Sequence, residues 1–235
     1  IMEQDNSFKE VAVVMGSNGG LGKSIYNNLK NTEKLSKVFG FHRKSNPPVD
    51  VTNENSVIEI ANFIKINKFR ISILINAVGY LHDDKFKPEK KIEDLNVEYF
   101  KKSCNINTLS TILLLKYLAP LMYQDRNALF VSLSARVGSI EDNHLGGWYS
   151  YRASKAALNQ IIKTASIEFK RKKSEIIFLS LHPGTVDTYL SKPFSNKKTL
   201  FSPELAAEKI LNTLKKLSIN QSGRLIDYNG DIIPY

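Results

Sequence analysis

Tyr151 and Lys155 stand four residues apart in YSYRASKAALNQ (149–160), where a stretch of helical apolar spacing begins. Residues at i and i+4 share one face of a helix, about a turn apart. A phenol of ordinary pKa, about 10, is a poor base at neutral pH, and a neighbouring ammonium favours the phenolate and lowers that pKa. Such a pair can give a proton to a carbonyl oxygen or take one from an alcohol. Tyr149 has no such partner, because Ala153 lies four residues on. Three serines precede the pair, Ser132, Ser134 and Ser139, as candidates to hold the reacting oxygen.

Elements on either side must position this pair. Short β-branched runs alternate with longer amphipathic stretches, the pattern of βαβ units and a parallel sheet. Strands are expected at 11–15 (VAVVM), 37–42 (KVFGFH), 71–76 (ISILIN), 128–134 (ALFVSLS), 176–182 (IIFLSLH) and 223–228 (GRLIDY). Helices are expected at 21–31, 57–66, 97–123 and 149–172, and from Pro203 behind Ser202 as N-cap. The fold class is α/β, one doubly wound Rossmann-type domain over residues 8–235 with a central, mostly parallel sheet.

Between the first strand and first helix lies GSNGGLG, with Gly16, Gly20 and Gly22. A tight turn there needs residues without Cβ, the backbone must approach a pyrophosphate, and a helix N-terminus favours its negative charge. This is the turn of a dinucleotide site. An NAD-selecting site carries an acidic residue at the end of the second strand. Here His42, Arg43 and Lys44 follow that strand instead, so NADP(H) is preferred over NAD(H).

Composition narrows the remaining classes. Lys and Arg exceed Asp and Glu by ten, but the lysines are scattered and no zinc-ligand spacing or aromatic-interleaved basic motif accompanies them. They read as a solvated surface, and neither nucleic acid nor metal is expected. The 12-residue stretch TILLLKYLAPLM is too short and too interrupted to span a membrane. The N-terminus lacks the apolar stretch of a signal peptide. The single Cys104 excludes an internal disulfide and agrees with a reducing, cytoplasmic location.

The set of motifs resembles the short-chain dehydrogenase/reductase superfamily from about residue 10 to the C-terminus. The glycine turn, with Gly16, Ser17, Asn18, Gly20, Leu21 and Gly22, is similar to that family's cofactor turn, although Met15 stands where Thr is usual. Further implied cofactor contacts are Arg43, Asp50 and Val51 of DVT, and Asn76, Ala77, Val78 and Gly79 of NAVG. Pro183, Gly184, Val186 and Thr188 of HPGTVDT complete them, together with Tyr151 and Lys155. The resemblance assigns Asp50 to the adenine amine, Lys155 to the nicotinamide ribose, and Asn107 to a helix kink that holds a relay water.

The family's serine lies three residues before a glycine. Counted from Gly138, that position is Ala135. Ser134, one residue early, is the candidate replacement, with Ser139 or a backbone amide as alternatives. A closer resemblance is to the C-factor and sniffer-like carbonyl reductase branch, carried by NAVGYLHD, RVGSIEDNHLGGWYSYRASKAALN, HPGTVDTYLSKPF and SGRLIDYNGDIIPY. It implies a complete domain, an open pocket under a short lid, and pairing of helices 97–123 and 149–172 into a homodimer or homotetramer. The expected activity is NADP(H)-dependent reduction of an aldehyde or ketone, or oxidation of the matching alcohol. The alternative is a cofactor-sensing or signalling protein that turns over little because of Ala135.

Overall fold

The apolar runs become strands buried on both faces, as a helix-covered parallel sheet requires. A computed structural model describes residues 8–31, 35–194 and 200–235. Its strands are β1 (Lys9–Met15), β2 (Lys37–Phe41), β3 (Phe69–Asn76), β4 (Leu129–Leu133), β5 (Ile177–His182), β6 (Arg224–Asp227) and β7 (Ile232–Ile233). They form one sheet of order β2-β1-β3-β4-β5-β6-β7. Every pairing is parallel except β6 with β7. β7 was not among the expected strands, since a two-residue strand carries no periodicity to read.

The helices are α1 (Gly20–Lys30), α2 (Glu54–Ile66), α3 (Val97–Cys104), α4 (Ser110–Tyr117), α5 (Tyr149–Arg171) and α6 (Pro203–Leu214). Alternate residues of β1 serve opposite layers. Val11, Val13 and Met15 pack with α2, α4 and α5, while Ala12 and Val14 pack with α1 and α6. Ser202 caps α6 as expected, its side chain accepting the Leu205 N–H at 3.2 Å.

The helix expected over 97–123 is broken. α3 runs into a π-helical turn, Asn105–Leu109, before α4, and Pro120 sits in a separate 3-10 turn, Ala119–Leu121. An unbroken helix cannot continue through a proline, and a π turn inserts one residue that re-aims the side chains after it.

The order β2-β1-β3 makes the end of β1 a topological switch point, where doubly wound sheets open a crevice. The glycine turn fills that corner. Gly16 donates to the Phe41 carbonyl at 2.8 Å and has φ +78°, and a Cβ on Gly22 would lie 2.3 Å from the Gly16 oxygen. α1 can therefore approach the sheet only without a side chain at this point. Gly22→Ala is expected to destabilise the fold by about 1–3 kcal/mol through overpacking, read as a lower midpoint in urea. An unchanged midpoint would mean that α1 is not pinned here.

Candidate active site

The C-terminal ends of β1, β3, β4 and β5 bring the motif residues to one edge of the sheet. At the first of them, α1 begins at Gly20 with Gly19 as N-cap, no capping side chain and no acidic residue in its first turn. Its amides are therefore unmet by any side chain, the feature that suits an anion. Asn18 and Gly20 are exposed, whereas Ser17, Leu21 and Gly22 are buried in the turn. A Cβ on Gly20 would stand 2.9 Å from Thr188 Cγ2, so the segment after β5 closes over this helix start. Gly184, at φ +78°, starts that segment beside Pro183, and Val186 is buried and bridges to Phe201.

Arg43 and Lys44 are exposed just past β2, on the flank of the same corner. Asp50 is exposed, its Oδ1 accepting from the Thr52 amide at 2.9 Å and the Thr52 hydroxyl at 2.7 Å, while Val51 is buried. Asn76 is placed differently from a ligand contact. Its amide nitrogen is within 3.2–3.3 Å of the Ser110, Thr111 and Ser132 hydroxyls, and its Oδ1 accepts the Val78 N–H. It shapes the Ala77–Val78 turn from behind. Gly79 is exposed, and a Cβ there would lie 3.8 Å from both Asn107 Oδ1 and Lys155 Nζ.

Tyr151, Lys155 and Asn107 converge beside that glycine. Tyr151 is 6% exposed against 39% for Tyr149, so helix phase separates the two tyrosines as the spacing predicts. Lys155 Nζ lies 5.8 Å from the centre of the Tyr151 ring and donates to the Leu133 carbonyl at 2.8 Å. Asn107 sits in the π turn, wholly buried, with Oδ1 accepting the Tyr80 N–H at 2.8 Å. Its Nδ2 donates to the Tyr80 carbonyl at 2.9 Å and to Ser154 Oγ at 3.0 Å. Ser154 passes the tie on to the Tyr151 carbonyl at 2.8 Å.

Burial dominates the electrostatics of the pair. Burial pushes the Tyr151 phenol well above its ordinary range, with Tyr99 adding to the shift, where a neighbouring ammonium was expected to lower it. Burial also brings the Lys155 amine down to about 7. Both groups are taken out of water, which disfavours their charged forms. Tyr151 is therefore held as the neutral phenol at neutral pH.

Ser134 does not reach for a reacting oxygen. It is buried and its hydroxyl donates to Asn159 Oδ1 at 2.7 Å, one turn beyond Lys155 on α5. Ser132, at the end of β4, bonds Thr111 at 2.7 Å, and Ser139 Oγ accepts the Asp142 N–H at 3.0 Å. The replacement expected at Ser134 is thus a structural contact. Sequence reading also missed Ser154, Asn159 and Glu89, whose partners lie in other elements and leave no local pattern.

A buried Tyr–Lys pair beside a glycine-lined helix start, at the open end of a parallel sheet, is the layout of an oxidoreductase. The sequence model of the short chain dehydrogenase family matches residues 10–199, and the chain belongs to that family. It is similar to a 1-hydroxy-2-glutathionyl-2-methyl-3-butene dehydrogenase of Rhodococcus sp., 29% identical over 80% of this chain and 79% of the relative. C-signal of Myxococcus xanthus is 29% identical over 60% of this chain and 82% of its own length. The solved structure of the carbonyl reductase Sniffer of D. melanogaster superposes with a TM-score of 0.83 at 22% identity, covering 97% of this chain and 100% of that one. An NADPH-bound carbonyl reductase from chicken fatty liver superposes with a TM-score of 0.84 at 22% identity, covering 97% and 96%. These two establish the shared fold. Among the described residues no helix is long and apolar enough to cross a membrane.

The depressed Lys155 amine sets a pH dependence. Below about pH 7 it must be charged while buried, and its cost to stability is complete. Between about 7 and the ordinary 10.5 the unfolded chain binds the extra proton, so stability rises with pH and the cost fades. Lys155→Met is therefore expected to raise Tm most below pH 7, with the gain shrinking toward pH 10. A gain independent of pH would contradict a charge buried on folding.

Proposed function

We propose that this chain is an NADP(H)-dependent carbonyl reductase. The observation that carries the reading is the convergence of Tyr151, Lys155 and Asn107 beside the exposed Gly79, next to a helix start with no capping side chain. A dinucleotide fits what is present: the open amides of α1 suit its phosphates, and Gly16 and Gly22 let the turn and α1 close tightly on the sheet end where those amides are presented. Exposed Arg43 and Lys44 suit the 2′-phosphate that distinguishes NADP(H). Asp50 suits the adenine, and Lys155 the nicotinamide ribose.

When bound, the reduced nicotinamide supplies a hydride to the carbonyl carbon. The residues of this chain handle the proton and the orientation. Tyr151, kept neutral by burial, gives its hydroxyl proton to the carbonyl oxygen as negative charge develops there. Lys155, tied to Leu133, sits against the phenol and steadies the charge left on it. Asn107 holds the Tyr80 backbone and Ser154, which ties α5 to the segment that follows β3.

The second reading, a protein that binds the cofactor and turns over little, rests on Ala135. With Ser134 bonded to Asn159, no side-chain hydroxyl stands at the family's serine position. Loss of one donor to a developing oxyanion can cost about 10²–10³ in rate. Titration with NADPH and NADH by nucleotide fluorescence, followed by a panel of aldehydes and ketones, separates the two. NADPH is expected to bind more tightly, with measurable turnover that Tyr151→Phe lowers by at least about 10². Tight NADPH binding without turnover, restored by Ala135→Ser, favours the second reading; equal affinity for NADH rejects the cofactor preference.

Homo-oligomers built on α3, α4 and α5 are part of the same proposal. Val97 and Phe100 on α3 and Ile167 on α5 leave apolar side chains exposed, surface that a second copy would cover. Light scattering is expected to give a dimer or tetramer; a monomer at micromolar concentration rejects it.

A further inference from the structure

Three helices are capped by the residue that precedes them. Asn53 accepts from Ser56 N–H at the start of α2, Asn96 from Tyr99 N–H at α3, and Ser202 from Leu205 N–H at α6. The helix that carries Tyr151 and Lys155 is started in another way. Its N-cap is Trp148, a bulky residue in the left-handed conformation at φ 53°, with no side-chain cap. It follows Gly146 and Gly147, also left-handed at φ 65° and 64°. The two glycines take this conformation without cost, but a left-handed Trp148 persists only where its surroundings hold it.

What holds it is Glu89, in the loop between β3 and α3 and 61 residues before Ser150. Its Oε2 accepts the Ser150 N–H at 3.2 Å, its Oε1 accepts the Ser150 hydroxyl, and its backbone carbonyl accepts the Trp148 N–H. A Cβ on Gly147 would lie 3.4 Å from that same carbonyl oxygen, so the left-handed turn runs directly against this residue. Glu89 is 2% exposed, and no Lys or Arg pairs with it among the described residues. A buried carboxylate without a cation is costly. Here the open amides and positive end of a 23-residue helix offset that cost.

The part of this loop that leads to Glu89 begins beside Asn107. Asn107 grips Tyr80 through both its amide atoms, and the Tyr99 hydroxyl donates to the Leu81 carbonyl at 2.6 Å. One end of the loop is thus fixed to Asn107, and the other to Ser150, the residue before Tyr151. Trp148 in turn packs edge-on against Tyr151, with ring centres 6.1 Å apart.

We propose that Glu89 is a positioning residue for proton transfer by Tyr151: through Ser150 and Trp148 it sets where the catalytic helix starts, and so where the phenol stands relative to Asn107. This rests on the assignment of Tyr151 as the proton donor. A helix cap of ordinary kind would stabilise α5 equally, but it would not register α5 against the β3–α3 loop. Chemistry that needs the phenol in place is sensitive to that register, since a misplacement of about 1 Å can cost about 10² in rate.

The test uses Glu89→Gln, Glu89→Ala, Ser150→Ala and the Glu89→Ala/Ser150→Ala double variant, each assayed below its own Tm. Glu89→Ala is expected to lower kcat by about tenfold to a hundredfold while the Kd for NADPH changes by less than about twofold. Glu89→Gln, which keeps an oxygen and the shape, should recover part of that loss. The double variant should be little worse than Glu89→Ala alone, because both remove one interaction. Trp148 is the chain's single tryptophan, so its emission reports this turn directly, and it should shift and become more quenchable in Glu89→Ala.

A folded Glu89→Ala with the parent kcat overturns the proposal, as does a fall in NADPH affinity that accounts for the whole loss. If Glu89→Ala does not fold, parent kcat in both Glu89→Gln and Ser150→Ala overturns it instead. Should the unmodified protein turn over no carbonyl while binding NADPH, the reductase reading fails on its own. Glu89 is then judged by amide exchange over residues 148–151 in Glu89→Gln: faster exchange supports the clamp, and unchanged exchange with unchanged Trp148 emission overturns it.

Discussion

The seating of α5 on the end of β4 is the contact from which the rest of the site follows. Lys155 reaches the Leu133 carbonyl because the turn between them brings Gly138 flush against the helix, where a Cβ would lie 2.7 Å from Lys155 Cβ. Asn159, one turn on, bonds both the Ser134 hydroxyl and the Gly138 carbonyl. The helix is therefore locked to the strand end by a close approach and by three polar ties, none of them to solvent. That closeness takes Lys155 and Tyr151 out of water together, and the same burial makes one a reluctant cation and the other a reluctant anion.

A second constraint meets the first from the other side. The π turn at Asn105–Leu109 aims Asn107 at the Tyr80 backbone and at Ser154, so the ends of β3 and α5 are joined through one side chain. Asn76 supports the same corner from beneath, its amide held among three hydroxyls from α4 and β4. Each of these buried polar groups is hydrogen-bonded, which is what makes them affordable in a low-dielectric interior. Gly79 is exposed in the middle, and a Cβ on it would lie within 3.8 Å of the Leu190, Asn107 and Lys155 side chains.

Much of this frame was legible in local pattern. The strands of alternating or continuous apolar residues, the Ser202–Pro203 helix start and the glycine turn all came out where period and turn chemistry put them. The Tyr–Lys pair could be read because an i, i+4 spacing is a statement about one helix. What stayed hidden involves partners far apart in the chain: Glu89 with Ser150, Asn159 with Ser134, and β7, too short to have a period. The helix read over 97–123 is interrupted at Asn107, where the resemblance implies a kink, and again at Pro120, through which the apolar spacing reads as continuous.

The sequence by itself determined the doubly wound sheet, the glycine turn between β1 and α1, and the helix phase that buries Tyr151 and leaves Tyr149 exposed, because each depends on residues within a few positions of one another. Tertiary structure decided which serine faces which way, what starts α5, and whether the Tyr151 phenol is pushed up or down. Those depend on how closely separate elements approach and how much water they exclude. A hydroxyl one residue out of register, or an ammonium that loses its hydration, differs from its alternative only through distances that the fold sets.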